Sequence, residues 1–166
     1  MADETWKREI GAQVGAAIDM LENAIKACPE SLWSDRARYP EYWYLAYHVL
    51  FFLDLYLSDS MEGFAPPAPF TMAEMDPAGV MPDRVYTKDE LLVYLDHGRR
   101  KLRKVMDEFT DAWARRHRTF GNVEGTGLEM LLYNLRHVQH HAAQLNLILR
   151  QVTNSAAPAW VRRAKA

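Results

Sequence analysis

The chain has 166 residues, of which 49% are hydrophobic and 25% are charged, as is typical of one folded domain. Its net charge of -2, without a long basic stripe, excludes the positive surface that nucleic-acid binding requires. The single cysteine, Cys28, excludes an internal disulfide and is consistent with a reducing cytosol. Because no apolar run reaches the length of a signal peptide or a membrane span, we expect a cytoplasmic protein that does not enter membranes.

The first predicted helix covers residues 3–28. Its apolar residues recur at steps of three and four, which is the period of an amphipathic helix, and Pro29 ends it. We expect Cys28, at the end of this helix, to be a small core residue, because the sequence shows no base beside it that would activate a nucleophile.

A second helix is predicted from Pro40, which suits a first helical position, to about Ser58. It is apolar and aromatic nearly all round, a pattern that predicts the most buried element of the fold. His48 and Asp54 are the exceptions. Asp54 lies six residues after His48 on a different side of the helix, so we expect a structural ion pair or a loop contact there, not metal ligation.

Residues 59–86 show no periodicity and contain five prolines and two glycines, so we expect a long irregular connection. Long loops inside compact domains are usually functional or join distant ends of elements. A crossover fits here, because a bundle whose second and third helices run parallel needs the chain to return along its full length.

Two capping boxes predict the starts of the last two helices. Thr87 with Glu90 marks the third helix, and Thr126 with Glu129 marks the fourth. Between them, residues 114–125 are basic and then contain glycine, which predicts a second loop.

The apolar stripe of the third helix extends to Trp113, and the fourth helix extends to about Val152. Four helices without any strand alternation predict an all-α protein, a four-helix bundle over residues 1–152. Residues 153–166 are predicted to form a C-terminal tail, which Trp160 would attach to the bundle or to a second subunit.

His137 and His141 lie four residues apart, on the same face of the fourth predicted helix. This spacing lets two imidazoles converge on one metal ion, but a catalytic metal needs a third protein ligand. His48 is the best candidate, because Tyr44 and Phe51 share its face and would line an aromatic pocket. Three neutral nitrogens with an open position suit Zn²⁺ or Ni²⁺. A hydrogen-bonded histidine pair in the core or at the surface is the alternative.

The other histidines are not expected to bind metal. His140 points about 100° away from His141 around the helix, so we expect it at the surface or beside a ligand. His97 and His117 lie among charged residues and are expected to face water.

Residues 42–50 and 137–145 resemble the two motifs of the DinB/YfiT-like family of metalloenzymes. Their order, the long crossover and the total length also agree, so the resemblance covers roughly residues 3–152. It implies a bundle of up-down-down-up topology. One departure is that this chain has Ala142-Ala143 where the family often has Arg-Gly.

The same resemblance implies a divalent metal held by His48, His137 and His141. Relatives include thiol-dependent isomerases and S-transferases that use mycothiol or bacillithiol. We therefore expect transfer of a low-molecular-weight thiol to an electrophile, with the metal activating the thiol and with Tyr44 and Phe51 lining the pocket of a small-molecule substrate.

Two alternatives stay open at this stage. Metal-dependent hydrolysis is the rival enzyme activity. A stress-related protein that binds metal or a small ligand without turnover is the other, because the sequence shows no general base near the metal. Family members are often dimers, so we expect a homodimer, with Trp6 and Trp160 as candidate contacts.

Overall fold

The computed structural model describes residues 4–154 and 158–164, and these residues are mainly helical, as predicted, with one small two-stranded sheet. The helices are α1 (Glu4–Ala27), α2 (Glu30–Trp33), α3 (Tyr42–Tyr56), α4 (Lys88–Glu108), α5 (Asp111–Arg115) and α6 (Gly127–Thr153). Within the described ranges, none of these helices combines the length and the hydrophobicity needed to cross a membrane.

Most of the buried core residues lie on the four long helices, α1, α3, α4 and α6. α1 packs against α4 and α6, and α3 packs against the same two helices. Twelve of the 15 residues of α3 are buried, so the prediction that this helix is the most buried element is confirmed. Cys28, which follows α1, is buried in the same core, as predicted.

Both capping boxes are present. The Thr87 hydroxyl accepts a hydrogen bond from the Glu90 amide, and the Glu90 carboxylate accepts one from the Thr87 amide. Thr126 and Glu129 form the same pair of bonds at the start of α6. These bonds satisfy amide groups that have no partner inside the helix, and they fix the starting residues of α4 and α6.

Two helix boundaries differ from the prediction. α3 begins at Tyr42 and not at Pro40, because Glu41 is extended and its carboxylate accepts hydrogen bonds from the Arg36 guanidinium and the Trp43 indole. The third predicted helix ends at Glu108, and Trp113 lies in the separate helix α5. The Thr110 hydroxyl starts α5 by accepting a hydrogen bond from the Trp113 amide at 3.1 Å.

The loop predicted for residues 114–125 contains the end of α5 and a short antiparallel hairpin, so the expectation of no strands is wrong here. Its strands are β1 (His117–Phe120) and β2 (Val123–Thr126). Gly121, at a φ of 65°, adopts the left-handed conformation that a two-residue hairpin turn requires.

The predicted connection between α3 and α4 is long and mostly irregular, but it contains a 3₁₀ turn, Met72–Met75. The Thr71 hydroxyl starts this turn by accepting a hydrogen bond from the Ala73 amide at 3.4 Å. Beyond α6, the described residues 158–164 lie against α1, where the Gln13 side chain donates to the Arg162 carbonyl at 3.2 Å.

Asp54 forms the structural ion pair that was one of its two predicted roles. Its carboxylate is 2% exposed and contacts the Lys101 ammonium and the Tyr94 hydroxyl of α4. The prediction that His97 faces water is wrong, because the packing of α3 on α4 half-buries His97 and places its Nε2 atom 3.2 Å from Asp54 Oδ1. His117 is exposed, as predicted.

Candidate metal centre

His48 of α3 and His137 and His141 of α6 converge at the contact between the two helices. One ring nitrogen from each residue lies within 4.8 Å of the other two. The ring centroids are 5.4 Å apart for His48 and His137, 5.0 Å for His48 and His141, and 4.6 Å for His137 and His141. The predicted convergence of the three histidines is therefore confirmed.

Aromatic side chains of α3 surround one side of this cluster. The Phe52 ring lies 4.8 Å from the His48 ring and 5.6 Å from the His137 ring, between centroids. Tyr56 approaches His137 at 6.1 Å and Tyr44 approaches His48 at 6.5 Å. These rings cover one side of the histidine cluster and pack against the imidazoles.

The crossover contributes a carboxylate. Glu74, in the 3₁₀ turn, places Oε2 at 2.7 Å from His48 Nδ1, and its side chain is only 4% exposed. A carboxylate oxygen accepts, so Nδ1 carries the hydrogen and Nε2 keeps the lone pair that binds a metal. A carboxylate on the far nitrogen of a metal-binding histidine is a common way of fixing its orientation.

The two histidines of α6 are held differently. His141 Nδ1 donates to the side-chain oxygen of Gln144 at 2.6 Å, which again leaves Nε2 free. His137 Nδ1 is buried and has no hydrogen-bond partner among the described residues. His140 is exposed, as predicted, with its ring 5.0 Å from that of His141.

Burial keeps two of the three imidazoles neutral. Burial, followed by the neighbouring His141 and His48, lowers the pKa of His137 to about 3. Burial also lowers the pKa of His141, against the opposing effect of the Gln144 hydrogen bond. Burial and then the nearby Glu74 carboxylate raise the pKa of the Tyr44 hydroxyl, so it stays protonated. Neutral imidazole is the form that coordinates a metal.

The donor set fits a divalent transition metal. In a tetrahedral zinc site with Zn–N bonds of about 2.0–2.1 Å, the ligand nitrogens lie about 3.4 Å apart, so a modest inward movement of these side chains would place them on one ion. The buried Nδ1 of His137 is an unsatisfied polar atom in this cluster, because it has no hydrogen-bond partner among the described residues. Three imidazoles without a carboxylate ligand do not suit Mg²⁺ or Ca²⁺.

The two aromatic residues predicted to line a substrate pocket occupy different positions. Tyr44 is half-buried next to His48 and Glu74. Phe51 is fully buried in the core, where its ring contacts those of Tyr47, Phe52 and Phe64. Their contact with a bound substrate stays a prediction.

Sequence reasoning missed Glu74, although a signal for its position exists. Thr71 and Glu74 have the spacing of a capping box, which indicates a helical turn inside the crossover. In the structure the Glu74 side chain does not return to the turn, because it bonds to His48 instead. The contact with His48 depends on tertiary packing, which the local pattern does not contain.

The low pKa of His137 predicts how the stability of the metal-free protein depends on pH. The unfolded chain takes up a proton at this residue near its ordinary pKa of 6.5, whereas the folded protein does so only near 3. Between these values the unfolded state binds more protons, so the free energy of unfolding falls as the pH falls. We expect the urea midpoint in the presence of chelator to drop from pH 7 to pH 4, and to drop less in His137→Gln. Parallel profiles for the two proteins would contradict this.

Removal of Glu74 should weaken metal binding without removing a ligand. For Glu74→Ala we expect the affinity to fall about 10–100-fold, because His48 loses the partner that orients it. Glu74→Gln should retain more affinity, since its amide oxygen still accepts from Nδ1. Chelator competition measures both, with Glu62→Ala, an exposed acid of the same crossover, as the control. Equal affinities for Glu74→Ala and Glu62→Ala would exclude a positioning role.

Comparison with protein-family models matches residues 13–145 to the DinB superfamily. This range contains all three histidines of the cluster and the whole crossover that carries Glu74. No curated protein and no solved structure matched the chain.

Proposed function

Because the chain belongs to the DinB superfamily, as its two motifs predicted, we propose that it is a divalent-metal-dependent enzyme that transfers a low-molecular-weight thiol to a small electrophile. The observation that carries this proposal is the cluster of His48, His137 and His141. Its imidazoles are soft enough for Zn²⁺ or Ni²⁺, and three protein ligands leave a coordination position for a substrate.

The proposal includes the topology expected for the family, a four-helix bundle in up-down-down-up order. Two observations support it. α1 and α3 each pack against α4 and α6, as in a ring of four helices. The connection between α3 and α4 is long enough for these helices to run parallel, while short connections favour antiparallel neighbours.

When bound, the metal would supply a Lewis acid that lowers the pKa of a thiol or a water molecule at the open position. The protein's residues do the rest. Glu74 holds the proton on His48 Nδ1 and so directs Nε2 to the centre. Gln144 does the same for His141. Phe52 and Tyr56 keep water from one side, which strengthens electrostatic interactions at the centre.

Hydrolysis is the second candidate, and one observation favours it. Glu74 Oε1 is buried and has no hydrogen-bond partner among the described residues. Because the other oxygen of this carboxylate accepts from the far nitrogen of His48, Oε1 could take a proton only from a water molecule that is not itself bound to the metal, which gives hydrolysis weaker support than thiol transfer. The sequence had suggested no such base.

A thiol-consumption assay separates these functions. The metal-reconstituted protein is incubated with cysteine, glutathione or bacillithiol and an aryl halide, and thiol loss is followed with and without chelator. We expect metal-dependent thiol loss that His48→Ala abolishes. Ester hydrolysis without thiol would favour the second candidate. Inactivity towards every thiol and ester, in protein that binds stoichiometric metal, would favour the binding protein without turnover.

We also propose that the protein is a cytoplasmic homodimer. Trp6 and Trp160 support an interface, because the two residues are 66% and 70% exposed and large exposed aromatics often mark contacts between proteins. Sedimentation of the wild type and of Trp6→Ser tests this. We expect a dimer that the substitution weakens, and a monomeric wild type would contradict the proposal.

A further inference from the structure

An open cavity of about 700 Å³ lies between α1, α6 and residues 158–164. Pockets for small molecules commonly have volumes of about 300–1,000 Å³. His137 is part of its wall, whereas His48 and His141 are not among its lining residues. A molecule in this cavity would therefore lie against one histidine of the metal centre without occupying the centre itself.

The polar lining of the cavity is suited to an anion. Arg136 is its one permanently charged residue, and no acidic residue contributes to the wall. The neutral polar side chains around it include the indole of Trp160 and the amides of Gln13 and Gln139, each of which already donates one N–H, to the Arg162 carbonyl and the Met20 sulfur, and has a second. A single guanidinium among neutral donors matches a molecule with one negative charge.

Arg136 is free to bind a ligand. It is exposed, and within the described residues it forms no hydrogen bond and no ion pair. Of the four arginines of α1 and α4 that line other pockets, Arg8 and Arg99 are already paired, whereas Arg100 and Arg103 form no ion pair among the described residues. Arg99, for example, donates to Asp19 and Glu22 at 2.5 and 2.6 Å. An unpaired arginine facing a cavity without acids is a ready partner for a carboxylate.

The rest of the wall is apolar. Ala16 and Ala17 of α1, Leu135 and Ala143 of α6, and Val161 line it. Small side chains leave room for the body of a ligand, and the apolar surface favours a molecule that is not charged throughout. The cavity is thus suited to a small monocarboxylate with a less polar remainder.

We propose that this cavity, which we call the Arg136 cavity, binds the carboxylate of a small molecule that reacts at the metal centre. Arg136 pairs with the carboxylate, and the ligand extends along α6 to His137. The identification of the ligand as a reactant depends on the proposed function, but binding of the carboxylate does not. The carboxylate belongs either to the thiol or to the electrophile. In both cases it pairs with the Arg136 guanidinium in the same way.

Binding can be tested apart from the metal centre. The titrations use metal-free His48→Ala protein, which lacks the centre but keeps every residue that lines the cavity. The probes are N-acetylcysteine, its uncharged amide, and N-acetylalanine, which has the carboxylate without the thiol. Calorimetry and tryptophan fluorescence report binding, and Trp160→Phe shows whether the fluorescence change comes from the cavity. We expect both acids to bind at least tenfold more tightly than the amide.

The matched variants are Arg136→Gln and Arg150→Gln. Arg150 is also exposed on α6, has no partner among the described residues, and lies outside the cavity. We expect Arg136→Gln to weaken binding of both acids about tenfold or more, with an unchanged unfolding midpoint, and Arg150→Gln to bind like its parent. Equal binding of acid and amide, equal effects of the two substitutions, or no saturable binding would overturn the proposal.

A final comparison in metal-loaded wild-type protein assigns the carboxylate to one reactant. If the thiol carries it, N-acetylcysteine should bind more tightly than N-acetylalanine, because its sulfur reaches the metal. If the two bind equally while Arg136 is still required, the carboxylate belongs to the electrophile. If metal-loaded wild-type protein binds N-acetylalanine but transfers no thiol, the proposed function is refuted. The assignment of the cavity as a carboxylate site is then unaffected.

Discussion

His137→Ala is expected to lose stoichiometric metal binding. Its affinity for the metal should fall by more than the roughly 10–100-fold expected when only a hydrogen-bond partner of a ligand is removed. The imidazole is neutral at physiological pH, since burial lowers its pKa to about 3, and its ring lies 4.6 Å from that of His141. Two remaining histidines do not complete the donor set of a catalytic metal site. Metal analysis after dialysis measures the stoichiometry.

Two further variants keep this test specific. The His137 ring also packs against Phe52 and Tyr56, so His137→Gln, which retains more of the side-chain volume, checks that the loss is not due to unfolding. His117→Ala removes an exposed histidine of β1 and should bind metal like the wild type. Undiminished metal content in both His137 variants would show that the residue is not a ligand.

Asp54→Ala is expected to have the largest effect on stability. The substitution leaves the buried Tyr94 hydroxyl without its acceptor and removes the partner of Lys101. Removal of one member of a buried ion pair costs about 3–5 kcal/mol. We expect the lower end of this range, because the Lys101 side chain is 22% exposed and keeps hydrogen bonds to the Asp54 carbonyl at 2.7 Å and the Ser58 hydroxyl at 2.6 Å.

Urea denaturation measures the change in the free energy of unfolding. Asp54→Asn should cost less, since its amide oxygen can still accept from Tyr94. Asp96→Ala, which removes an exposed and unpaired acid of α4 within the described residues, should change stability by less than about 0.5 kcal/mol. Similar stabilities for Asp54→Ala and Asp96→Ala would mean that the buried cluster does not stabilise the contact between α3 and α4.

The sequence was sufficient for the features that depend on local periodicity. Capping boxes at Thr87 and Thr126 located the starts of two helices, because the residues that satisfy the free amides are three positions apart. The spacing of His137 and His141 located half of the centre for the same reason. His48 was found from its aromatic surroundings on a buried helix, and the structure places it beside the pair.

Features that depend on contacts between distant segments were missed. Glu74 lies in an irregular crossover, and only the packing of that segment on α3 brings it to His48. His97 looked solvent-exposed among charged neighbours, but the buried carboxylate of Asp54 is its partner across the α3–α4 contact. The hairpin before α6 is four residues long on each strand, too short for an alternating pattern to stand out.

The Arg136 cavity was not predicted for a related reason. Arg136 is one of several basic residues in the chain, and its sequence neighbours do not distinguish it from a solvated surface residue. Its environment depends on where residues 158–164 lie against α1, which places Trp160 and Val161 opposite α6. The path of that segment is not encoded in any local pattern.

Anomalous scattering from crystals of protein purified without added metal tests the central claim most directly. Data collected on both sides of the zinc and nickel absorption edges identify the element and its position. We expect one peak bounded by the rings of His48, His137 and His141, and no peak in crystals of His137→Ala. A peak elsewhere, or none in crystals of wild-type protein soaked with either metal, would contradict the assignment of this cluster as a metal centre.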